Sequence, residues 1–213
     1  MPIGIVVVVA ILASAKQCEA DGAMSMLDRA LRATEQVRDY TATVTVRVDS
    51  PNLQIPRRTA RVYFKRPDMV HVESEGLVFI PRDALMMGNL STHVEEYATA
   101  SFIGDGTLGG RPVRSIKLTP REDRPGAGRV LVWIDSERFL LLRSEIWRGG
   151  RRQLTVNFEH ERIDGRYWMP GRIVAEMAAG AMMRRDEGGR IELVFSNYRI
   201  NTDLPDSIFE RDH

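Results

Sequence analysis

The sequence predicts a mainly β (α+β) chain, with one amphipathic helix near the N-terminus followed by about nine to eleven antiparallel strands in a sheet large enough that it must curl to bury a face. Three observations carry this. After Tyr40 the apolar residues recur with period two, the pattern of half-buried strands. Gly109-Gly110, Gly149-Gly150, Asp164-Gly165 and Gly188-Gly189 punctuate those segments, and glycine's tolerance of positive φ suits tight hairpin turns. Beyond Tyr40 no long segment has helical period, so nothing is available to return the chain between parallel strands.

Composition sets the outer limits. The chain has 213 residues, 43% hydrophobic and 28% charged, with 17 Gly and 10 Pro, an ordinary globular balance that argues against collagen-like, disordered or multi-span membrane classes. Its length suits one domain, with at most a short appendage. Thirty Lys plus Arg against twenty-nine Asp plus Glu leave a charge of +1, which gives no bulk electrostatic case for a nucleic-acid partner. A single cysteine, Cys18, excludes a disulfide framework and a cysteine-based zinc site.

Taken in order, the chain opens with Ile3 to Ala15, thirteen residues without a charge. That is short of the roughly 20 needed to span a bilayer but suits the apolar region of a secretory signal, and Ala13-Ser14-Ala15 or Cys18-Glu19-Ala20 supplies a small-residue cleavage pattern. The expectation is a signal over residues 1–20, removed on export, and a single domain over 21–213. Lys16 and Gln17 before Cys18 fit a lipoprotein signal poorly, so anchoring through Cys18 is the lesser alternative.

From Gly22 to Arg38, Leu27, Ala30, Leu31, Thr34 and Val37 recur at helical spacing with charges between them, and Asp21 or Ser25 can cap the first free amides. Strands follow around Val44 to Val48 and Val62 to Phe64, then at Met69 to Ser74, Val94 to Ala98, Pro112 to Leu118, Arg129 to Asp135, Phe139 to Trp147, Gln153 to Ile163, Tyr167 to Ala178 and Arg190 to Ile200. A short helix fits Asp83 to Met87, inside Pro81 to Leu90. Val130 to Ile134 and Phe139 to Leu142 are apolar at every position, as strands covered on both faces are.

Catalytic chemistry finds little support. His71, His93, His160 and His213 have no metal-ligand spacing, and neither GxSxG, GxxxxGK[ST] nor GxGxxG occurs. Gly104-Asp105-Gly106 and Leu108 to Arg111 read as turns. Acids such as Glu73, Glu95, Glu159 and Glu161 alternate with apolar residues and point to solvent from strands, while Arg57-Arg58, Arg151-Arg152 and Arg184-Arg185 read as solvated loop edges. Ten Met, including Met86-Met87 and Met182-Met183, suit either gap-filling in a core or a surface whose occupant varies in shape. The expectation is a protein that is not an enzyme and needs no metal or cofactor.

Certain segments also carry a resemblance. The export signal and amphipathic helix precede Tyr40-Thr41-Ala42-Thr43, which opens the first strand, and Val62-Tyr63-Phe64-Lys65-Arg66-Pro67-Asp68 closes the second. Later come Val132-Trp133-Ile134-Asp135, Trp168-Met169-Pro170, and Asn201-Thr202-Asp203-Leu204-Pro205 running into Ile208-Phe209. In this order the chain resembles the outer-membrane lipoprotein carrier (LolA-like) family, also described as outer-membrane lipoprotein-sorting proteins. The resemblance implies an incomplete, strongly curved antiparallel barrel whose open side is covered by a helical lid, enclosing an apolar cavity for lipid or lipoprotein acyl chains.

The same resemblance implies that Arg66, in the Lys-Arg-Pro segment, helps latch the lid, where its plain alternative is a solvated strand-end arginine. It implies a monomeric periplasmic carrier that meets an inner-membrane transporter and an outer-membrane acceptor protein, with no nucleic acid. Strand alternation nominates Val46, Phe64, Val72, Trp133, Leu142, Phe158 and Phe195 as cavity-lining residues, a choice that one slip of register would reverse. A lipid-sensing regulatory protein of the envelope and a structural envelope protein with a filled barrel are the other readings.

Overall fold

In the computed structural model the described residues are 22–50, 53–54, 56–76, 80, 97–120, 128–179 and 188–211. The expected signal with Cys18, the short helix at 83–87 and the Met86-Met87 and Met182-Met183 pairs lie outside them. A helix over residues 22–32 (α1) is followed by β1 (Asp39–Ser50), β2 (Leu53–Gln54), β3 (Arg58–Lys65), β4 (Met69–Ser74), β5 (Tyr97–Leu108) and β6 (Arg111–Pro120). Then come β7 (Arg129–Asp135), β8 (Leu141–Arg148), β9 (Arg151–Ile163), β10 (Tyr167–Met177), β11 (Gly189–Ile200) and a closing 3-10 helix, Asp206–Arg211.

All pairings are antiparallel, in the order β4-β3-β1-β11-β10-β9-β8-β7-β6-β5, with the short β2 attached to β1. From β5 to β11 the chain is a plain meander. β1 departs from it by taking its place between β3 and β11, so the first and last strands are neighbours. The ends of the order, β4 and β5, do not pair with each other, and the result is an incomplete curved barrel rather than a closed one.

Hairpin chemistry accounts for the meander. Gly109-Gly110, Gly149-Gly150 and Asp164-Gly165 all have positive φ at both positions, the backbone that a two-residue turn matching the strand twist demands. Gly188-Gly189 behaves differently. Gly189 is already paired with Met177 in the ladder, and a Cβ on Gly188 would stand 2.6 Å from the Met177 carbonyl oxygen. Close backbone approach, not a tight turn, requires glycine there.

Two further expectations are corrected. Gly104-Asp105-Gly106 is not a turn but part of β5, opposite Ser115, Arg114 and Val113, and Asp105 pairs with Arg114 across the strands at 3.1 Å. Exposure of this stretch removes the hydrophobic alternation by which a strand is recognised. The N-terminal helix ends at residue 32 rather than Arg38, because residues 33–36 tighten into a turn with Glu35 N–H donating to the Arg32 carbonyl (3.0 Å) and Val37 N–H to that of Thr34 (3.1 Å).

Register shows which side chains share a face, because residues opposite one another in a ladder project to the same side. Val48, Ile191, Ala175, Val156, Ser144, Val132, Ile116 and Phe102 form one continuous row across eight strands. The opposite face carries Arg47, Glu192, Val174, Asn157, Arg143, Trp133 and Ser115. α1 lies on the first, apolar face: Ala23, Met26 and Leu27 are buried with Ala100, Ile116, Leu118, Val130, Val132 and Ile134. Fully burying a side chain such as Leu27 is worth about 1.5–3 kcal/mol, which holds the short helix in place.

Candidate functional site

The apolar face falls into two parts. Over β5 to β8 it is covered by α1. Over β1, β3, β10 and β11 a second cluster contains Tyr40, Val44, Val46, Val62, Phe64, Ile173, Leu193 and Phe195, none of which packs in the α1 cluster. Ile80, the one described residue among 77–96, packs against this second cluster. Tyr40 is its aromatic centre, stacked on Phe64 with centroids 5.3 Å apart and edge-on to Tyr198 at 5.6 Å. Burial pushes the Tyr40 phenol far above its ordinary range. Tyr198 is raised for the same reason first, with Tyr40 and Glu161 adding to it, and its hydroxyl donates to the Pro170 carbonyl at 2.7 Å.

Arg66 sits at the end of β3, under the turn that follows α1. Its Nε donates to the Val37 carbonyl and its Nη2 to the Thr34 carbonyl, each at 2.9 Å, while its backbone N–H donates to the Arg38 carbonyl at 2.8 Å. A guanidinium suits this place because it offers several donors in a fixed fork, and a cation near a helix C-terminus meets the negative end of the helix dipole. Arg66 therefore ties the exit of α1 to the sheet.

Residues after β11 strengthen the same junction. Asn201, with φ of 56°, accepts the Arg38 N–H on Oδ1 (2.7 Å), and its Nδ2 donates to the Gln36 carbonyl (3.0 Å) and the Tyr167 hydroxyl (3.2 Å). Asp39 is only 2% exposed, and its carboxylate accepts the N–H groups of Thr202 (2.8 Å) and Asp203 (3.1 Å) and the Thr202 hydroxyl (3.3 Å). Lys65 Nζ donates to the Leu204 carbonyl at 2.7 Å and pairs with Asp206.

Of the seven residues nominated for a cavity, five fall together. Val46, Phe64 and Phe195 are buried in the second cluster, with Val72 and Phe158 packed against it. Trp133 and Leu142 do not join them. Trp133 stands in the opposite-face row, and Leu142 packs with Val113, Leu140 and Trp133 in a separate cluster. For Leu142 the cause is a bulge, since Trp133 faces Arg143 while Ile134 faces Leu141, so Leu142 is an extra residue and the alternation slips by one; Trp133 alternates regularly with Val132 and Ile134, in a run whose uniform apolarity marks no face. That cluster covers the second side of β7, as its unbroken apolar run requires.

Two clefts open on the polar face. One, of about 660 Å³, is lined by Arg57, Arg58, Arg61, Glu73 and Glu75 with Thr43 and Thr59. The other, of about 530 Å³, lies over β8 to β11 beneath the β5–β6 hairpin tip. At its edge His160 is pushed down to about 4, chiefly by burial and also by Arg111, with Asp135 opposing. Among the described residues no group of three or more His, Cys, Asp or Glu side chains is placed to hold a metal.

A family model described as an uncharacterized protein matches residues 84–213, more than half of the sequence. The chain belongs to that family. The matched stretch contains β5 to β11 but not α1, β1 or Arg66. No curated protein matches the sequence. Among solved structures, the chain is similar to a DUF1329 family protein from Desulfovibrio piger (19% identity, TM-score 0.63), with 89% of this chain and 97% of that one covered. It is similar to an outer membrane lipoprotein-sorting protein domain from Vibrio parahaemolyticus at 17% identity and TM-score 0.62, over 89% and 97%. A LolA superfamily protein from Nitrosomonas europaea matches at 16% and 0.59, over 89% and 98%. The family member described here thus has the LolA-like fold, and the resemblance drawn from its sequence holds at the level of fold.

Proposed function

We propose that this protein is an exported, non-enzymatic carrier that binds lipid or lipoprotein acyl chains on the α1 face of its sheet. In this reading residues 1–20 are a signal removed on export to the periplasm. The mature domain receives cargo from an inner-membrane transporter and passes it to an outer-membrane acceptor. The observation that supports it best is the unequal cover of one continuous apolar face. α1 packs over β5 to β8 alone, and the apolar row runs on through β9, β10, β11 and β1.

Energetics fit a shuttle whose site opens and closes. Each buried CH₂ contributes about 0.8 kcal/mol, so a chain of ~15 carbons gains up to ~12 kcal/mol before ordering costs. Val46, Phe64 and Phe195 are already buried in a cluster that contains no residue of α1, so displacement of α1 opens the β5 to β8 part of the same face, and an acyl chain lying there would run up to that cluster. Arg66 is then the latch: fastening the exit of α1 sets the cost of opening, and so of loading and release.

The test is native mass spectrometry of the protein purified from a periplasm, with solvent extraction of whatever dissociates from it. A stoichiometric lipid or acyl-chain mass is expected, and the same spectrum reports the cleavage site and any diacylglyceryl group on Cys18. A clean mass together with no uptake of a fluorescent fatty acid means that the barrel is filled, and the carrier reading falls.

A further inference from the structure

The cleft on the face opposite α1 has features that the carrier reading does not use. Its floor is apolar where Leu108, Leu142 and Val174 line it, and its walls carry charge. Arg172 is engaged by Glu192 and by Glu159 at 2.7 Å, and Arg190 reaches Glu176 at 3.4 Å. Arg111 is not engaged in the same way. Its guanidinium stands 3.6 Å from Asp135 and 6.0 Å from the centre of the Trp168 ring, and among the described residues its side chain makes no hydrogen bond. Beside it, His160 Nδ1 is buried with no hydrogen-bond partner. A buried polar atom without a partner costs free energy that a ligand atom would recover.

We propose that this cleft is a binding site for a small carboxylate that carries an apolar group. Arg111 offers the planar fork that a carboxylate accepts in two bonds, and the neutral imidazole of His160 with its proton on Nδ1 adds a donor once ligand entry uncovers that buried atom. Arg172 and Arg190 are held by glutamates, which leaves Arg111, ion-paired with Asp135 but making no hydrogen bond among the described residues, as the cation with donors to spend; one such cation suits a monoanion, whereas a phosphate dianion would meet Glu159 and Glu176 at close range. The apolar part of the ligand rests on Leu108, Leu142 and Val174. The inference does not rest on acyl-chain binding, whose apolar cluster meets this cleft at Phe158.

The test titrates the purified chain with benzoate, and separately with its neutral counterpart benzyl alcohol, while NMR follows the imidazole nitrogens of His160, assigned by their loss in His160→Gln. Benzoate is expected to shift Nδ1 saturably and benzyl alcohol to leave it in place, and Arg111→Gln is expected to weaken benzoate at least about tenfold. A fluorescent fatty acid held on the α1 face is expected to stay bound as benzoate saturates. Four results overturn the proposal. These are no His160 shift up to the solubility limit of benzoate, an equal shift with benzyl alcohol, tighter binding of inorganic phosphate than of benzoate, or displacement of the fatty acid.

Discussion

Replacing Arg66 by methionine removes two hydrogen bonds, from Nε to Val37 and from Nη2 to Thr34, while an unbranched stem of similar reach is kept and the backbone bond to Arg38 is untouched. Hydrogen bonds to a charged donor are worth about 1.5–3 kcal/mol each, and the lower figure applies because Arg66 is only half-buried, so the pair stabilises the exit of α1 by about 3 kcal/mol. At about 1.4 kcal/mol per tenfold, local opening of the helix becomes roughly 100 times more frequent. Hydrogen exchange read by mass spectrometry resolves this directly. Protection over residues 22–32 is expected to fall by about two orders of magnitude while the strands β10 and β11 keep theirs. Arg66→Lys, which keeps the charge but loses the fork, should recover part of the loss. If α1 protection is unchanged, Arg66 is no latch. If all strands lose protection equally, its contribution is to the whole fold and the coupling to α1 is refuted.

Three further outcomes follow from register, charge and burial. Leu193 is 2% exposed and its neighbour Val194 40%, so Leu193→Asp should abolish cooperative folding while Val194→Asp stays within about 0.5 kcal/mol of the parent by urea titration; equal effects would refute the assignment of faces. Asp39→Ala removes the buried carboxylate that accepts the N–H groups of Thr202 and Asp203 and should cost about 1–3 kcal/mol by the same measurement, with exchange fastest over residues 201–206. His160 is held at about 4 against about 6.5 in the unfolded chain, so between these values the unfolded state binds the extra proton. Stability is therefore full above pH 6.5 and declines as pH falls to 4, by at most about 3 kcal/mol, and His160→Gln should flatten that part of the pH profile.

What could be read in advance depended on how far apart the deciding residues lie. The alternation of Val44 with Val46, or of Val62 with Phe64, is local, and so are the glycine pairs that turn three of the hairpins. The end of α1 is not local, because the carbonyls of Thr34 and Val37 are taken by Arg66 from another strand. Leu142 stands off the shared face because of one bulge, which no periodicity announces, and Trp133 because β7 is apolar at every position, so that alternation there marks no face. Arg66 came to notice through the Lys-Arg-Pro resemblance alone. Asn201 stands out only as part of the Asn-Thr-Asp-Leu-Pro segment of that resemblance, with no role attached, and Asp39 gives no signal, since each finds its partners at the opposite end of the chain. The buried His160 likewise owes its character to Arg111 and Asp135, which the fold alone brings near it.

The seat of β1 between β3 and β11 has a consequence for how the molecule comes into being. Tyr40 pairs with Ile200 and Val48 with Ile191, so a strand made near the start of synthesis waits for almost the last one before its inner edge is satisfied. β5 to β11 need no such delay, because each strand finds its neighbour one hairpin later. Folding therefore proceeds from the meander outward, and insertion of β1, a contact of high sequence separation, is its slow closing step. Until that step is complete the cluster around Tyr40 and Phe195 has no finished core, and the making of β11, rather than of β1, is what allows it to close.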